Sequence, residues 1–178
     1  MKENILIVDD EPDIRDVISV ILNDEGYNTN CVSNAQEAQA KINIEIPSLI
    51  ILDIWMRDST MDGLSLLNWI KDSNPEIPVL MISGHGTVEI AVNAIKAGAY
   101  DFIEKPFKSE KLLFMVSRAL ENSELKKENE ELKQQVRRTD MIVGKSSIIN
   151  SVRQTIAKVS QTNSRVLILG SSGSGKEA

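Results

Sequence analysis

The chain has 178 residues, 42% of them hydrophobic and 26% charged, so it can hold one complete domain with a buried core and a smaller second piece. Its net charge of −6 is uneven, because residues 1–120 hold 10 Lys and Arg against 19 Asp and Glu, whereas residues 121–178 hold 10 against 7. The acidic first part would repel phosphates, which argues against nucleic-acid binding there, and the weak positive excess of the second part is too dispersed for a DNA-binding patch.

Membrane and secreted proteins are also disfavoured. No apolar run approaches the roughly 18 residues of a membrane span, and the first residues lead straight into an apolar strand, without room for a signal peptide. Cys31 is the only cysteine, which excludes an internal disulfide and disfavours a thiolate metal site. We interpret it as a small buried thiol. These features predict a cytoplasmic protein that does not bind membranes.

Five short apolar runs alternate with helical patterns over the first 120 residues. Continuous runs of β-branched and apolar residues are typical of strands buried on both faces of a parallel sheet. Apolar residues at three-and-four spacing, as in Ile14, Ile18 and Leu22, indicate amphipathic helices between them. Five strand–helix units predict a doubly wound α/β domain with right-handed crossovers. The predicted strands are 5–8, 28–32, 49–52, 79–82 and 101–103, and predicted helices lie near 14–22, 35–44, 64–71, 88–97 and from 109 onward.

The fifth helix is predicted to continue well past the domain. Residues 110–138 contain neither Pro nor Gly and are rich in charged, helix-favouring residues. Leu125 and Leu132 are seven residues apart, with Asn129 at an alternate position of the same seam. A polar Asn in such a seam can fix the register of a two-stranded coiled coil. Two interpretations remain open: a linker that forms a dimer, and a solvated helical spacer.

Acidic residues follow two of the predicted strands. Asp9 and Asp10 come directly after the first strand, and Asp53 directly after the third. Ligands of doubly wound sheets bind at the carboxyl ends of the strands, so neighbouring first and third strands would bring three carboxylates together. At about 5 Å and an effective dielectric constant of about 20, each pair repels by about 3 kcal/mol. Such a cluster predicts a bound cation, and oxygen ligands favour Mg²⁺. The alternative, negative charge at the start of the first helix, does not explain Asp53.

The fourth and fifth predicted strands end in different chemistry. Ser83 closes the fourth strand, and Lys105 follows the fifth strand, just before Pro106. A carboxylate, a hydroxyl and an ammonium would therefore face one crevice. That set suits an aspartate side chain that attacks a phosphoryl group while Mg²⁺, Ser83 and Lys105 neutralise the phosphoryl oxygens.

The segments ILIVDDEPDIR, LIILDIW, MDG, VLMISGHG and AGAYDFIEKPF together resemble the receiver domain of bacterial two-component response regulators. The resemblance covers essentially all of residues 2–120. It implies the flavodoxin- or CheY-like fold with strand order 2-1-3-4-5, and it makes Asp53 the acceptor of a phosphoryl group from a sensor histidine kinase.

The same resemblance implies a metal site around the acceptor. Mg²⁺ would be held by Asp10, Asp53 and the main-chain carbonyl of Trp55, with Asp9 acting through water. The Trp55 ring has two open interpretations: it screens the phosphorylated residue from water, or it packs in its loop. Under the first, Trp55→Ala shortens the phosphorylated lifetime.

The resemblance also implies a switch. Ser83 would bind the phosphoryl group, and Lys105 would pair with it, next to a cis Lys105–Pro106 bond. Phe102 stands at the switch-aromatic position and would turn inward as Ser83 moves. His85, two residues after Ser83, is interpreted as a solvated loop residue, with contact to the attacking water or to the Trp55 ring as the alternative.

One segment departs from the pattern of many receivers. The stretch DIWMRDSTMDG, from the acceptor to the Met-Asp-Gly motif, is two residues longer and lacks a proline. In this it is similar to the NtrX branch of nitrogen-regulation response regulators, as distinct from the NtrC branch.

The end of the chain, RVLILGSSGSGKEA, reads as a strand followed by a phosphate-binding loop. Gly170, Gly173 and Gly175 would let main-chain N–H groups surround phosphates, and Lys176 would reach the outer ones. Glu177 stands where a hydroxyl usually holds Mg²⁺, and a glycine-rich linker is the alternative. With the helical pattern before it, this region resembles the start of the AAA+ ATPase domain of σ54-dependent activators.

The expected organisation is a receiver domain over 1–120, a helical linker over 121–139 and the beginning of an AAA+ domain over 140–178. The chain is then expected to be a fragment, with ATP binding, σ54 RNA polymerase contacts and DNA contacts left to the full-length protein. The predicted function is a phosphorylation-dependent switch, not an enzyme, which dimerises through receiver and linker. The alternative is an aspartyl-phosphate phosphohydrolase of the haloacid-dehalogenase type. Those enzymes carry a second Asp two residues after the nucleophile, where this chain has Trp55.

Overall fold

The computed structural model describes residues 3–57, 59–84, 87–139 and 146–160, together with positions 165, 167 and 169. The chain forms two compact units, residues 1–126 and residues 127–178. The first unit contains the carboxylates, Ser83 and Lys105. Within the second unit, the described positions from 140 onward contribute one helix.

A five-stranded parallel sheet with strand order β2-β1-β3-β4-β5 forms the centre of the first unit, which confirms the predicted fold. The three central strands, β1, β3 and β4, are almost wholly apolar and buried, whereas the more polar sequence NTNCV forms an edge strand. The strands are β1 Asn4–Val8, β2 Asn28–Val32, β3 Leu49–Asp53, β4 Val79–Ser83 and β5 Asp101–Glu104.

In the first unit, side-chain caps fix where three of the helices begin, beyond the carboxyl ends of the strands. Asn34, Asp62 and Thr87 each accept a hydrogen bond from the main-chain N–H three residues later. The first helix instead begins with Pro12, whose missing N–H is not needed at that position. The helices are α1 Pro12–Asp24, α2 Ala35–Ile44, α3 Gly63–Ser73, α4 Val88–Lys96, α5 Ser109–Thr139 and α6 Ser147–Val159.

The sheet separates two hydrophobic cores, because consecutive strand residues point to opposite faces. In β1, Leu6 and Val8 pack with α2, α3 and α4, whereas Ile5 and Ile7 pack with α1 and α5. All four side chains are buried. The central strands are therefore covered on both faces, as their unbroken apolar sequences predict.

Cys31 corrects one prediction from the sequence. Its thiol is exposed, not buried. The reason is topological: β2 has a neighbour on one side only, and its burial pattern leaves Asn28 and Cys31 open to solvent. The apolar neighbour Val32 is the buried residue of this strand.

The fifth helix is continuous from Ser109 to Thr139, as predicted. Leu125 and Leu132 are exposed, so the seam they define has an open apolar face. Helix α6, every residue of which is described, buries none of its side chains and exposes Ile148, Val152 and Ile156 along one face. Among the described helices, none is long and apolar enough to cross a membrane.

Candidate functional site

Three carboxylates meet at the carboxyl ends of β1 and β3. Asp9, Asp10 and Asp53 each offer one oxygen, and these oxygens lie within 4.8 Å of one another. Asp9 and Asp53 are buried, whereas Asp10 is part-exposed. The cluster arises because β1 and β3 are hydrogen-bonded neighbours, as the sequence predicts. An all-oxygen set of this kind fits a hard divalent cation such as Mg²⁺.

Lys105 brings positive charge to the same crevice from the end of β5. Its Nζ lies 2.8 Å from Asp9 Oδ2 and 3.0 Å from Asp53 Oδ1. It also reaches the exposed carboxylate of Glu11, at 3.2 Å from Oε1. The Lys105 side chain is only 11% exposed, so it pairs with two buried carboxylates in a poorly solvated site. The predicted cis bond between Lys105 and Pro106 is present.

Main-chain N–H groups orient each carboxylate. Trp55 donates to Asp53 Oδ2 at 2.8 Å, and Arg57 donates to Asp10 Oδ2 at 3.2 Å. Asp9 Oδ1 accepts from the N–H of Glu11 at 2.9 Å. Charge-assisted bonds of this kind hold carboxylates more firmly than bonds between neutral groups. The side chains are therefore held in place before any ligand arrives.

Gly63, of the Met-Asp-Gly motif, allows the chain to pass directly behind Asp53. Its N–H donates to Ile54 O at 2.9 Å. A Cβ at this position would overlap the main-chain carbonyl oxygen of Asp53. Only glycine therefore lets α3 begin this close to the end of β3.

Comparisons with known proteins agree with this geometry. Residues 5–117 match the profile of the response regulator receiver domain. The chain belongs to the response regulator receiver family. Residues 142–178 match the profile of the sigma-54 interaction domain, which confirms that the receiver is joined to the start of a σ54-activator domain.

Individual relatives agree with the predicted resemblance to the NtrX branch. The chain is 54% identical over 177 residues to the nitrogen assimilation regulatory protein NtrX of Azorhizobium caulinodans, covering 99% of this chain and 39% of that protein. It is 33% identical over 176 residues to the DNA-binding transcriptional regulator NtrC of Proteus hauseri, covering 99% of this chain and 37% of that protein. The chain thus spans about two-fifths of the length of these curated relatives.

A solved structure shows the same fold. The crystal structure of the receiver domain of NtrX from Brucella abortus is 56% identical, with a TM-score of 0.64, and the match covers 66% of this chain and 98% of that one. The predicted class, an NtrC/NtrX-type response regulator of two-component systems, is confirmed.

Burial sets the protonation of the receiver's carboxylates. Burial raises the pKa of Asp53 to about 6, against the opposing pull of Lys105, and burial likewise raises the pKa of Asp9. For Lys105, burial lowers the pKa, but its hydrogen bonds and charge interactions with Asp9 and Asp53 outweigh this and the net shift is upward. Lys105 therefore remains charged, whereas the Asp53 carboxylate is neutralised at a higher pH than an ordinary aspartate.

The remaining predicted residues of the receiver lie around this centre. Ser83 is fully buried at the end of β4, directly after Ile82, which is the register partner of Asp53. Phe102 is part-buried against the core that contains α3 and α4. The Trp55 side chain is 53% exposed, so the domain core does not enclose it. His85 and the predicted phosphate loop, with Gly170, Gly173, Gly175 and Lys176, lie outside the described residues.

The sequence gives no direct sign of four contacts at or near this site. The Glu11 side chain reaches Lys105, and the Arg57 N–H binds Asp10. Ser59 and Thr60 bind the start of α2. Their only signal in the sequence was the extra length of the loop that carries them.

Proposed function

We propose that Asp53 accepts a phosphoryl group from the phosphohistidine of a sensor histidine kinase, and that this modification controls the σ54-activator domain that follows the receiver. One observation carries the proposal: a lysine within 3.0 Å of a buried aspartate, beside two more carboxylates at the ends of neighbouring strands. A lone structural ion pair would need neither of the additional carboxylates.

Asp10, Asp53 and the Trp55 carbonyl would hold Mg²⁺ directly, with Asp9 acting through water. The oxygen donors and the surplus of negative charge over the single ammonium of Lys105 suit a divalent cation. Bound Mg²⁺ would neutralise charge on the transferring phosphoryl oxygens.

The transfer itself needs an ionised Asp53. A carboxylate oxygen attacks phosphorus, the new O–P bond forms as the P–N bond to the kinase histidine breaks, and the leaving imidazole nitrogen takes a proton from solvent. Lys105 is already held at the acceptor by its contact with Asp53, so its ammonium is in place to pair with phosphoryl oxygens. The Ser83 hydroxyl would bind another of these oxygens.

Ser83 and Phe102 would carry the change away from the acceptor. Ser83 is the last residue of β4. Phe102, in the neighbouring strand β5, pairs with Met81 of β4. A phosphoryl group favours the switched conformation only if it binds that state better, by a few kcal/mol for a near-complete shift. We expect residues 1–120 to act as receiver, 121–139 as linker and 140–178 as the start of the AAA+ domain.

Dimer formation by the full-length protein would control the activity of its σ54-activator domain. The exposed Leu125 and Leu132 favour a homodimer through the linker as well as the receiver. In that protein Gly170, Gly173, Gly175 and Lys176 would take part in ATP binding. Contacts with σ54 RNA polymerase and DNA would be made by the full-length protein.

The test is to incubate the protein with Mg²⁺ and acetyl phosphate and to measure the intact mass. We expect a single added phosphoryl group, located at Asp53 by peptide mapping, that is lost in Asp53→Asn and when Mg²⁺ is chelated. Beryllofluoride should change the oligomer size measured by light scattering. An Asp53→Asn protein that still takes up phosphate at this crevice would contradict the proposal, as would multiple turnover of phosphate esters.

A further inference from the structure

The loop between β3 and α3, residues 54–62, is the segment that is longer than in many receivers, and we call it the extended loop. Both of its ends are fixed in the domain. Ile54 and Met56 are buried in the core beneath it. At the far end, the Gly63 N–H is bonded to Ile54 O, so the loop closes on itself.

Near its beginning, the extended loop supplies main-chain groups to the carboxylate site. The Trp55 N–H binds Asp53 Oδ2, and the Arg57 N–H binds Asp10 Oδ2. The second bond joins positions 47 residues apart in the chain. The orientation of Asp10 therefore depends on where the loop lies.

Further along, two hydroxyl groups bind the extended loop to the start of α2. Ser59 Oγ accepts the N–H of Ala35 at 3.1 Å, and Thr60 Oγ1 accepts from Gln36 Nε2 at 2.6 Å. The Ala35 N–H belongs to the first turn of α2, where amides have no partner within the helix. The loop therefore completes the cap of a helix that lies elsewhere in the chain.

The start of α2 is a firm attachment point. Asn34 Oδ1 accepts the N–H of Glu37 at 2.9 Å, and the Glu37 carboxylate accepts the N–H of Ser33 at 3.0 Å. This arrangement resembles a capping box, except that Glu37 binds the N–H of the residue before the N-cap. The hydrogen bond from the Ser33 N–H is the largest of the influences that lower the pKa of Glu37.

We propose that Ser59 and Thr60 are positioning residues for phosphoryl transfer: by tying the extended loop to α2, they hold the Arg57 N–H on Asp10 and Trp55 beside Asp53. The inference rests on the proposed function. The extended loop carries groups that reach both the carboxylates and α2. Without the tie, Asp10 loses a fixed donor and water gains access to the phosphorylated acceptor.

The test uses the whole 178-residue chain and compares the parent with the double variant Ser59→Ala/Thr60→Val. Mg²⁺ affinity is measured by titration calorimetry, the phosphorylated lifetime by intact mass after removal of acetyl phosphate, and exchange of the Arg57 amide by NMR. Loss of groups that orient metal ligands weakens metal binding by about tenfold or more. For this more remote tie we expect the Mg²⁺ Kd to rise by about threefold to tenfold, with a shorter lifetime and faster Arg57 exchange.

Two controls separate positioning from a general loss of structure. Ser73→Ala removes a hydroxyl that binds Trp69 O at the other end of α3, and it should leave the Mg²⁺ Kd and the lifetime unchanged. Thr60→Ser keeps the hydroxyl and should match the parent, whereas Thr60→Val should not. A purely structural role would lower the thermal midpoint without moving the Mg²⁺ Kd or Arg57 exchange.

The inference is overturned if the double variant matches the parent in Mg²⁺ Kd, lifetime and Arg57 exchange, or if Thr60→Ser behaves like Thr60→Val. A parent that binds Mg²⁺ and forms the adduct at Asp53, with an unchanged double variant, leaves the proposed function intact and removes this inference alone. A parent that does neither overturns both.

Discussion

Each end of the sheet carries a part-buried lysine and a glycine, and the surroundings of the two lysines shift their pKa values in opposite directions. At the carboxyl end, Lys105 faces carboxylates and its pKa is raised. At the amino end, Lys71 donates to the main-chain carbonyls of Ile77 and Pro75, and burial lowers its pKa. Neutral carbonyl dipoles stabilise an ammonium less than carboxylates do. The same residue type thus lies in a carboxylate cluster at one end of the sheet and in a turn at the other.

One glycine at each end of the sheet also differs in what an added side chain would meet. Gly63 has main-chain atoms of Asp53 where a side chain would be, whereas Gly98 has only the flexible stem of Lys71 at 3.3 Å and a φ of +98°. Main chain at the end of a buried strand cannot move away, but a lysine stem can. A substitution of the glycine at the carboxyl end of the sheet is therefore less well tolerated than one at the amino end.

The largest effect is expected for Gly63→Ala. Relief of the overlap requires movement of the Asp53 main chain, so we expect a loss of unfolding free energy of about 3 kcal/mol and loss of phosphorylation by acetyl phosphate. Gly84→Ala is the matched control, because its added methyl group meets nothing within 4 Å at the same edge of the sheet. Urea unfolding and intact mass are the measurements. Equal stability of the two variants would contradict the steric interpretation.

Lys105→Met comes next. It leaves Asp9 and Asp53 buried without their cation, and breaking such a pair lowers unfolding free energy by about 3 kcal/mol. The loss should be measured by urea unfolding in EDTA at pH 8, and it should shrink at pH 5, where the carboxylates can protonate. Lys108→Met, at an exposed position, is the control. A loss that is identical at both pH values would count against the carboxylates as its cause.

Asp53→Asn should stabilise the metal-free protein. The folded-state pKa of Asp53, about 6, exceeds its ordinary value of 3.8, so the folded state binds the proton more tightly and the unfolding free energy falls as pH rises through this window. A difference of this size corresponds to at most about 3 kcal/mol, and we expect a gain of about 2 kcal/mol at pH 8 in EDTA. The gain should be small at pH 4, and a variant less stable than the parent at pH 8 would refute the assignment.

The smallest effects are expected at the amino end of the sheet. Gly98→Ala places a non-glycine residue at positive φ and should lower unfolding free energy by about 1–2 kcal/mol. Gly26 has a φ of +89°, and a Cβ added there would meet no atom within 4 Å. Gly26→Ala therefore measures the cost of backbone strain without a steric contact. Both variants should take up phosphate like the parent. A Gly98 variant with impaired phosphorylation would show that the two ends of the sheet are coupled.

Much of the fold could be predicted because its signals are local. The unbroken apolar runs of β1, β3 and β4 identify strands covered on both faces, and an Asp, a Ser and a Lys at the strand ends identify the crevice. The exposure of Cys31 could not be predicted, because whether a strand is at an edge depends on pairing between distant segments. The tie between Thr60 and Gln36 joins residues 24 apart by ordinary polar side chains, which leave no periodic pattern in the sequence.

The exposed Cys31 also makes the molecule convenient for spectroscopy. As the single cysteine of the chain, it offers one attachment point for a maleimide dye or a nitroxide, and no other thiol has to be removed first. Although the residue is exposed, partial desolvation of its thiol beside α1 raises the thiol pKa, so coupling should proceed better in mildly alkaline buffer than at neutral pH. Distances between labels on two copies would then show whether and how the copies associate with and without beryllofluoride.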